Sequence, residues 1–229
     1  MPINATFAEK ALRFYQDLQW RGRLPAGISV MNPYRDATVQ SYVASFLNKF
    51  YADTNTRVLV FGINPGRFGS GATGISFTDP VALEQFCGIA NDLPKKRELS
   101  SVLVYQFIEA WGGPTKFYRD FFMTAVSPLG FLKGNVNYNY YDDPKLQRAA
   151  EPFIVSSLQK QLTLGVDWEA AIVFGTGKNA KFFEALNAEH GFFENVYALE
   201  HPRFIMQYRR KRIDDYIRKY QEVFAKALG

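Results

Sequence analysis

Cysteine is almost missing: Cys87 is the only one in 229 residues. One thiol cannot close an internal disulfide, nor build a zinc–thiolate knuckle or a cysteine-ligated iron–sulfur cluster within one chain. A reducing, cytoplasmic setting of the bacterial intracellular type is the expectation. Long apolar runs are missing too, and none approaches the roughly 18 residues a membrane span needs. The opening MPINATFAEK has no basic stretch followed by an apolar one, so a signal peptide is not expected. Neither sign of charge dominates: 27 Lys and Arg face 22 Asp and Glu, a formal net charge of +5. That balance permits a nucleic-acid partner without requiring one. No repeat, low-complexity tract or shift in composition divides the chain, and one domain over residues 1–229 is the economical expectation.

What is present is core material. Hydrophobic residues make up 47% of the chain and aromatic residues 16%. The apolar spacing predicts helices over Ala5–Leu18, Asp36–Tyr51, Asp79–Ile89, Ser100–Trp111, Pro144–Leu164, Lys178–His190 and Gln207–Leu228. Short apolar runs predict strands over Val58–Phe61, Phe121–Val126, Ala170–Phe174 and Asn195–Leu199. Leu24–Tyr34 reads as a loop and Asn91–Glu98 as a polar linker. Gly130–Asp143, polar and aromatic, reads as a functional or covering loop. Strands alternating with helices predict an α/β fold, a parallel sheet between two helical layers.

The chain is organised around Arg57–Pro80, RVLVFGINPGRFGSGATGISFTDP. A buried strand breaks there into a loop carrying Gly62, Gly66, Gly69, Gly71 and Gly74. Open α/β sheets place ligands beyond the carboxyl ends of their strands, and glycine lets backbone come close to a ligand. Two further strand ends fall on the same edge, Ser127–Tyr141 and His201–Arg212. Asn64 taken alone also reads as a turn residue before proline, and His201 as a cap at a strand end. His190, beside Gly191, reads as a C-terminal helix cap. Gly175-Thr176-Gly177-Lys178-Asn179 lacks the first glycine of a phosphate loop, and Asn179 stands where Ser or Thr would bind magnesium. It reads as a tight strand-to-helix turn. Arg209-Arg210-Lys211-Arg212 is either a solvated helix face balanced by Asp214 and Asp215 or a set of phosphate contacts.

Gly62-Ile63-Asn64-Pro65-Gly66-Arg67-Phe68-Gly69, followed by Thr73-Gly74-Ile75-Ser76-Phe77, resembles the first motif of the single-strand-selective monofunctional uracil-DNA glycosylases, the SMUG group. That motif runs G-M-N-P-G-P-F-G, then T-G-V-P-F, with the same spacing from its Asn to its last Phe. His201-Pro202 resembles the group's second motif, which starts its DNA-wedging loop. Ser127-Pro128-Leu129 resembles its C-P-L, and Gly175-Thr176-Gly177 its G-V-G. The likeness runs in order from about Arg57 to Tyr208.

The resemblance implies a four-stranded parallel sheet between helices. It also implies hydrolysis of the N-glycosidic bond of a damaged base flipped out of DNA, uracil above all, without metal or cofactor. By position, Asn64 would hold the attacking water and His201 would hydrogen-bond the departing base. Phe77 would stack on the base. Gly62, Ile63, Pro65, Gly66, Phe68, Ala125 and Ser127 would form the rest of the base pocket. Arg203, Phe204, Ile205, Arg209, Arg210, Lys211 and Arg212 would grip and wedge the DNA. The implied partner is DNA, single- or double-stranded, met by a monomer at the nucleoid and away from any membrane.

Residue chemistry agrees with that reaction. The sugar passes through a cation-like state, so an amide that positions water can suffice, and the harder task is stabilising charge on the leaving base. Ordinary glycoside hydrolysis needs two carboxylates across the bond, and these loops offer no such pair. Base flipping accounts for the aromatic residues.

Two departures stand out. The group places an asparagine three residues before the Pro of C-P-L, where it reads the uracil edge; here that position is Ala125. Either Asn135, Asn137 or Asn139 reads the base together with backbone, or the pocket accepts more bases, such as hypoxanthine and xanthine. Arg203-Phe204-Ile205-Met206 replaces the group's S-P-R-N. Two other readings share the fold: a damaged-DNA-binding module that releases nothing, and a free-nucleoside hydrolase, from which a salt-sensitive DNA affinity separates the glycosylase.

Overall fold

The computed structural model of the chain describes residues 5–229. Helix α1 (Phe7–Gln16) starts from a reciprocal cap: the Thr6 hydroxyl accepts from the Glu9 N–H, and the Glu9 carboxylate accepts from the Thr6 N–H. Strand β1 (Ile28–Met31) precedes α2 (Ala37–Phe50), whose first N–H groups are held by the Asp36 carboxylate. Strand β2 (Arg57–Gly62) runs into a loop containing the short α3 (Ser70–Thr73), and then α4 (Pro80–Gln85). Helices α5 (Leu99–Trp111) and α6 (Pro114–Asp120) lead to β3 (Phe121–Ala125). Strands β4 (Gly130–Lys133) and β5 (Val136–Tyr138) form a hairpin. Helix α7 (Pro144–Leu162), β6 (Val166–Phe174), α8 (Lys178–His190) and β7 (Asn195–Leu199) follow. Helices α9 (Pro202–Tyr208) and α10 (Ile213–Ala227) close the chain.

The central sheet has the order β3-β2-β6-β7 with every pair parallel. Successive strand residues point to opposite faces, and this builds the three layers. Phe121 meets Trp111, Phe117 and Phe224, so α5, α6 and α10 cover one face. Its neighbour Phe122 meets Phe7 and Tyr15 of α1, and Phe61 meets Phe183 of α8, on the other face. The fold is the expected α/β/α sandwich around a four-stranded parallel sheet. From β2 the chain passes first to β3 on one side and later to β6 on the other. A crevice therefore opens beyond the carboxyl end of β2. Among the described residues no helix is long and apolar enough to cross a membrane.

Four segments differ from the sequence expectation. Leu24–Tyr34 is not all loop: β1 forms inside it by pairing antiparallel with β4, Met31 opposite Gly130. Its partner lies about a hundred residues away, and Pro25, Gly27 and Pro33 mask the four-residue run. Gly130–Asp143 is not a structureless cover but a hairpin, with Lys133 opposite Val136 across the two-residue turn Gly134-Asn135. Gly134 takes φ +57, the conformation such a turn requires. Pro114–Asp120, to which the sequence expectation gives no element, is helix α6, with Pro114 at its first position. The last helix is two. His201 and Pro202 start α9 early, the backbone breaks at Arg209, and the repelling run Arg210–Arg212 forms a 3-10 turn before Asp214 and Asp215 open α10.

Candidate active site

The carboxyl ends of β2, β3 and β7 border a cavity of about 420 Å³. The loop after β2 builds one wall. Gly62 ends the strand, and a Cβ there would stand 2.7 Å from Cζ of Phe77, so only glycine lets that ring lie against the strand end. Phe77 has φ +55, the one positive φ outside glycine among the described residues. A bulky side chain in that region carries strain and persists only where its surroundings fix it. They do so here: the Thr73 hydroxyl donates to the Thr78 carbonyl (2.6 Å), and the hydroxyls of Thr78 and Tyr105 are hydrogen-bonded at 2.9 Å. The Phe77 ring meets Phe174 edge-on at 5.4 Å and lies 5.8 Å from the His201 ring.

Asn64 is held by the hairpin. Its Oδ1 accepts from the Tyr140 N–H (3.2 Å), and its Nδ2 donates to the carbonyls of Tyr138 (3.3 Å) and Pro65 (3.4 Å). A backbone donor on one side and backbone acceptors on the other leave the amide one orientation. Oδ1 keeps a second lone pair for a water. Tyr140 is fixed in turn, since its hydroxyl donates to Asn179 Oδ1 (2.7 Å) and the Asn179 amide donates to the Phe174 carbonyl (2.9 Å). The Gly175–Asn179 segment is the strand-to-helix turn its sequence suggested, and through Asn179 it also carries this support.

His201 stands opposite, at the N-cap of α9. Its Nδ1 accepts from the Arg203 N–H at 3.1 Å. Burial, then the Arg203 charge, lowers its pKa to about 4. At neutral pH the imidazole is uncharged, and with Nδ1 occupied as an acceptor its proton sits on Nε2. The site therefore offers a neutral N–H donor.

Of the residues expected at the site, Gly62, Ile63, Asn64, Pro65, Gly66, Phe77, Ala125, His201, Arg203 and Phe204 line this cavity. Others do not. Phe68 is 40% exposed outside it, with Lys96 Nζ 3.6 Å above its ring. Ser127 is buried with its hydroxyl turned to the Leu129 carbonyl (2.8 Å); its N–H holds the Ile63 carbonyl (3.0 Å), so it braces the wall from behind. Ile205 corrects the expectation most plainly. It is fully buried in the core because α9 turns it inward, and it cannot reach DNA. The exposed aromatics of that helix are Phe204 and Tyr208, 5.4 Å apart at the cavity lip.

Arg209, Arg210, Lys211 and Arg212 lie beyond the cavity lining. Arg209 lies over Phe204 at 5.4 Å, and Arg212 is paired with Asp215 at 3.0 Å. Asn137 and Asn139 line the same cavity as Ala125, with Asn137 Oδ1 accepting from the Arg67 N–H (3.1 Å); Asn135 instead gives its carbonyl to the Arg67 guanidinium.

Sequence reasoning missed Glu98, Gln207 and Tyr208 in the lining. Glu98 ends the charged run KKRE and reads as solvated linker, yet it is partly buried against the glycine loop. Burial, with Asp79 adding and Arg203 opposing, raises its carboxyl to about pKa 7. Among the described residues no three or more His, Cys, Asp or Glu side chains gather as a metal site would require.

Residues 49–225 match the family model described as Uracil DNA glycosylase superfamily. The crystal structure of wild-type SMUG2 from Pedobacter heparinus is similar throughout. It has a TM-score of 0.94 and 44% sequence identity, over 96% of this chain and 97% of that one. No curated protein matches.

Proposed function

The chain belongs to the uracil DNA glycosylase superfamily, and from that premise we propose that it excises uracil and other deaminated bases from DNA by hydrolysis, leaving an abasic site. The observation that carries this reading is one cavity walled by the clamped Asn64 amide, the neutral His201 and the Phe77 ring. A base flipped into it stacks on Phe77. As the C1′–N bond breaks, its electron pair moves to the base, and the His201 Nε2–H donates to the carbonyl oxygen where that charge collects. A neutral donor suffices because the leaving base is itself only weakly basic. Asn64 holds the water on the sugar's far side through the free lone pair of Oδ1. Among the described residues no lysine lines the cavity. No Schiff base forms, and the strand is left uncut.

The small Ala125 side chain supports a base range wider than uracil, extending to hypoxanthine and xanthine, with Asn137 and Asn139 as candidate readers of the base edge. The SMUG2 likeness supports the same branch of the superfamily. The test is base release from oligonucleotides carrying uracil, hypoxanthine or xanthine, in single and double strands, with alkaline cleavage revealing abasic sites. Release of uracil and of at least one deaminated purine is expected. Tight binding without release would overturn the catalytic reading in favour of a damage-binding module. Release from free nucleosides alone would overturn DNA as the substrate.

A further inference from the structure

Hydrolysis adds the oxygen of water to C1′ and must dispose of a proton. Asn64, an amide, cannot accept it. His201 cannot either, because Nδ1 is filled by the Arg203 N–H and Nε2 already carries hydrogen. Glu98 is the only carboxylate among the residues that line the cavity. We propose that the Glu98 carboxylate takes the proton of the attacking water while Asn64 holds that water; the inference rests on the glycosylase reading above.

The placement is built rather than incidental. Asp79, itself buried, caps α4 with Oδ1 and accepts the Glu98 N–H with Oδ2 at 2.8 Å. One carboxylate thus fixes where α4 starts and where Glu98 leaves the chain. From there the Glu98 side chain lies on the glycine loop. Its Oε1 is 3.3 Å from the position a Cβ on Gly66 would take, and any Cβ on Gly69 would overlap Oε2. Gly66 follows Asn64 by one intervening proline, so amide and carboxylate share a wall. No side chain among the described residues donates a hydrogen bond to the Glu98 carboxylate, which leaves its lone pairs to the cavity. The charged groups facing it are Asp79 from the start of α4 and Arg203 from α9. Burial and Asp79 outweigh Arg203, so the group titrates near neutral pH, where a general base is most effective.

The step balances. The C1′–N bond breaks with its pair going to the base, the water oxygen forms the C1′–O bond, and one water proton passes to Glu98. Glu98 then returns that proton to solvent, and the base anion takes one up.

The experiment is single-turnover release of uracil from a single-stranded oligonucleotide between about pH 5 and 8.5, for the full chain and for Glu98→Gln. The wild-type rate is expected to rise about tenfold per pH unit and level off near pH 7. Glu98→Gln should be slower on the order of 10²-fold and flat across the range, with oligonucleotide binding and melting temperature at pH 5 retained. A variant with the wild-type rate and profile would overturn the proposal. So would a flat wild-type profile, which needs no variant to fold. A wild-type chain that releases no uracil at any pH would overturn the glycosylase reading along with it.

Discussion

Backbone groups decide what Asn64 can do. A side-chain amide at a loop tip is ordinarily free to turn over, but here the Tyr140 N–H and the Tyr138 carbonyl hold it from opposite sides. What remains on Oδ1 is one acceptor site in a fixed direction. Asn64→Ala should reduce base release on the order of 10²-fold or more and leave uracil-DNA binding intact; single-turnover rates and a binding titration check it, and wild-type turnover would remove Asn64 from the mechanism. Ala125 faces the same cavity from the register position opposite Gly62. Ala125→Asn adds an edge-reading amide and takes space, so the ratio of uracil to xanthine release should rise; an unchanged ratio would displace Ala125 from the base-contacting wall. Glu98 supplies a stability test. Its carboxyl is raised from 4.5 to about 7 in the folded chain. Between those values the folded state binds more protons than the unfolded one, so its contribution to stability falls as pH rises. Glu98→Gln removes that loss. Its melting temperature should gain on the wild type from about pH 4.5 to 7 and gain no further above, as parallel melts would record. His201 works in the opposite sense, its folded value of about 4 lying below 6.5, so it costs stability as pH falls through that window in both proteins alike.

Helix α9 is where an element, not a residue, assigns roles. With His201 as N-cap and Pro202 at the first position, the helical period turns Ile205 and Met206 to the core and leaves Phe204 and Tyr208 at the lip. Ile205→Ala should destabilise the fold by about 2–5 kcal/mol, the cost of a large-to-small change in a packed core. Phe204→Ala should leave the denaturation midpoint unchanged and slow release from duplex more than from single strands, since only a duplex needs its stack held open. Chemical denaturation and paired single-turnover rates separate the two, and a Phe204→Ala variant with unaltered duplex rates would exclude this lip as the wedge. The sequence could not place Ile205 because one residue of helix phase separates core from solvent, and the phase depends on where His201 caps. The central strands were legible because their apolar runs are buried on both faces. Strand β1 was not, since pairing with β4 supplies what its four residues lack. The turn Gly134-Asn135 was a readable hairpin signal hidden among polar and aromatic neighbours. Asn64 and His201 could be named from the motifs, whereas Glu98 could not. Its role depends on Asp79 catching its N–H and on the side chain folding back over Gly66 and Gly69.

The molecule as a whole carries a modest formal charge of +5, so any DNA affinity must come from where the cations sit rather than from their number. Around the cavity the basic side chains fall into two groups. Arg203 on α9 and Arg209 at its end flank Phe204, while Arg67 and Lys96 flank Phe68 on the glycine loop, outside the cavity. A strand passing either ring would meet it with cations alongside. Arg209 and Arg210 lie next to the lip and are exposed, whereas Arg212 is already engaged by Asp215. Replacing Arg209 and Arg210 together by alanine should weaken binding to the same degree for uracil-containing and undamaged oligonucleotides. It should also reduce the slope of log affinity against log salt by about one unit for each phosphate that is no longer neutralised. Arg212→Ala should change the slope less, because its charge is partly spent on Asp215. A salt titration of binding for the three proteins reads both effects. If the double variant keeps the wild-type affinity and slope, the run is a solvated turn between two helices, and the strand must enter past Phe68, Arg67 and Lys96 instead.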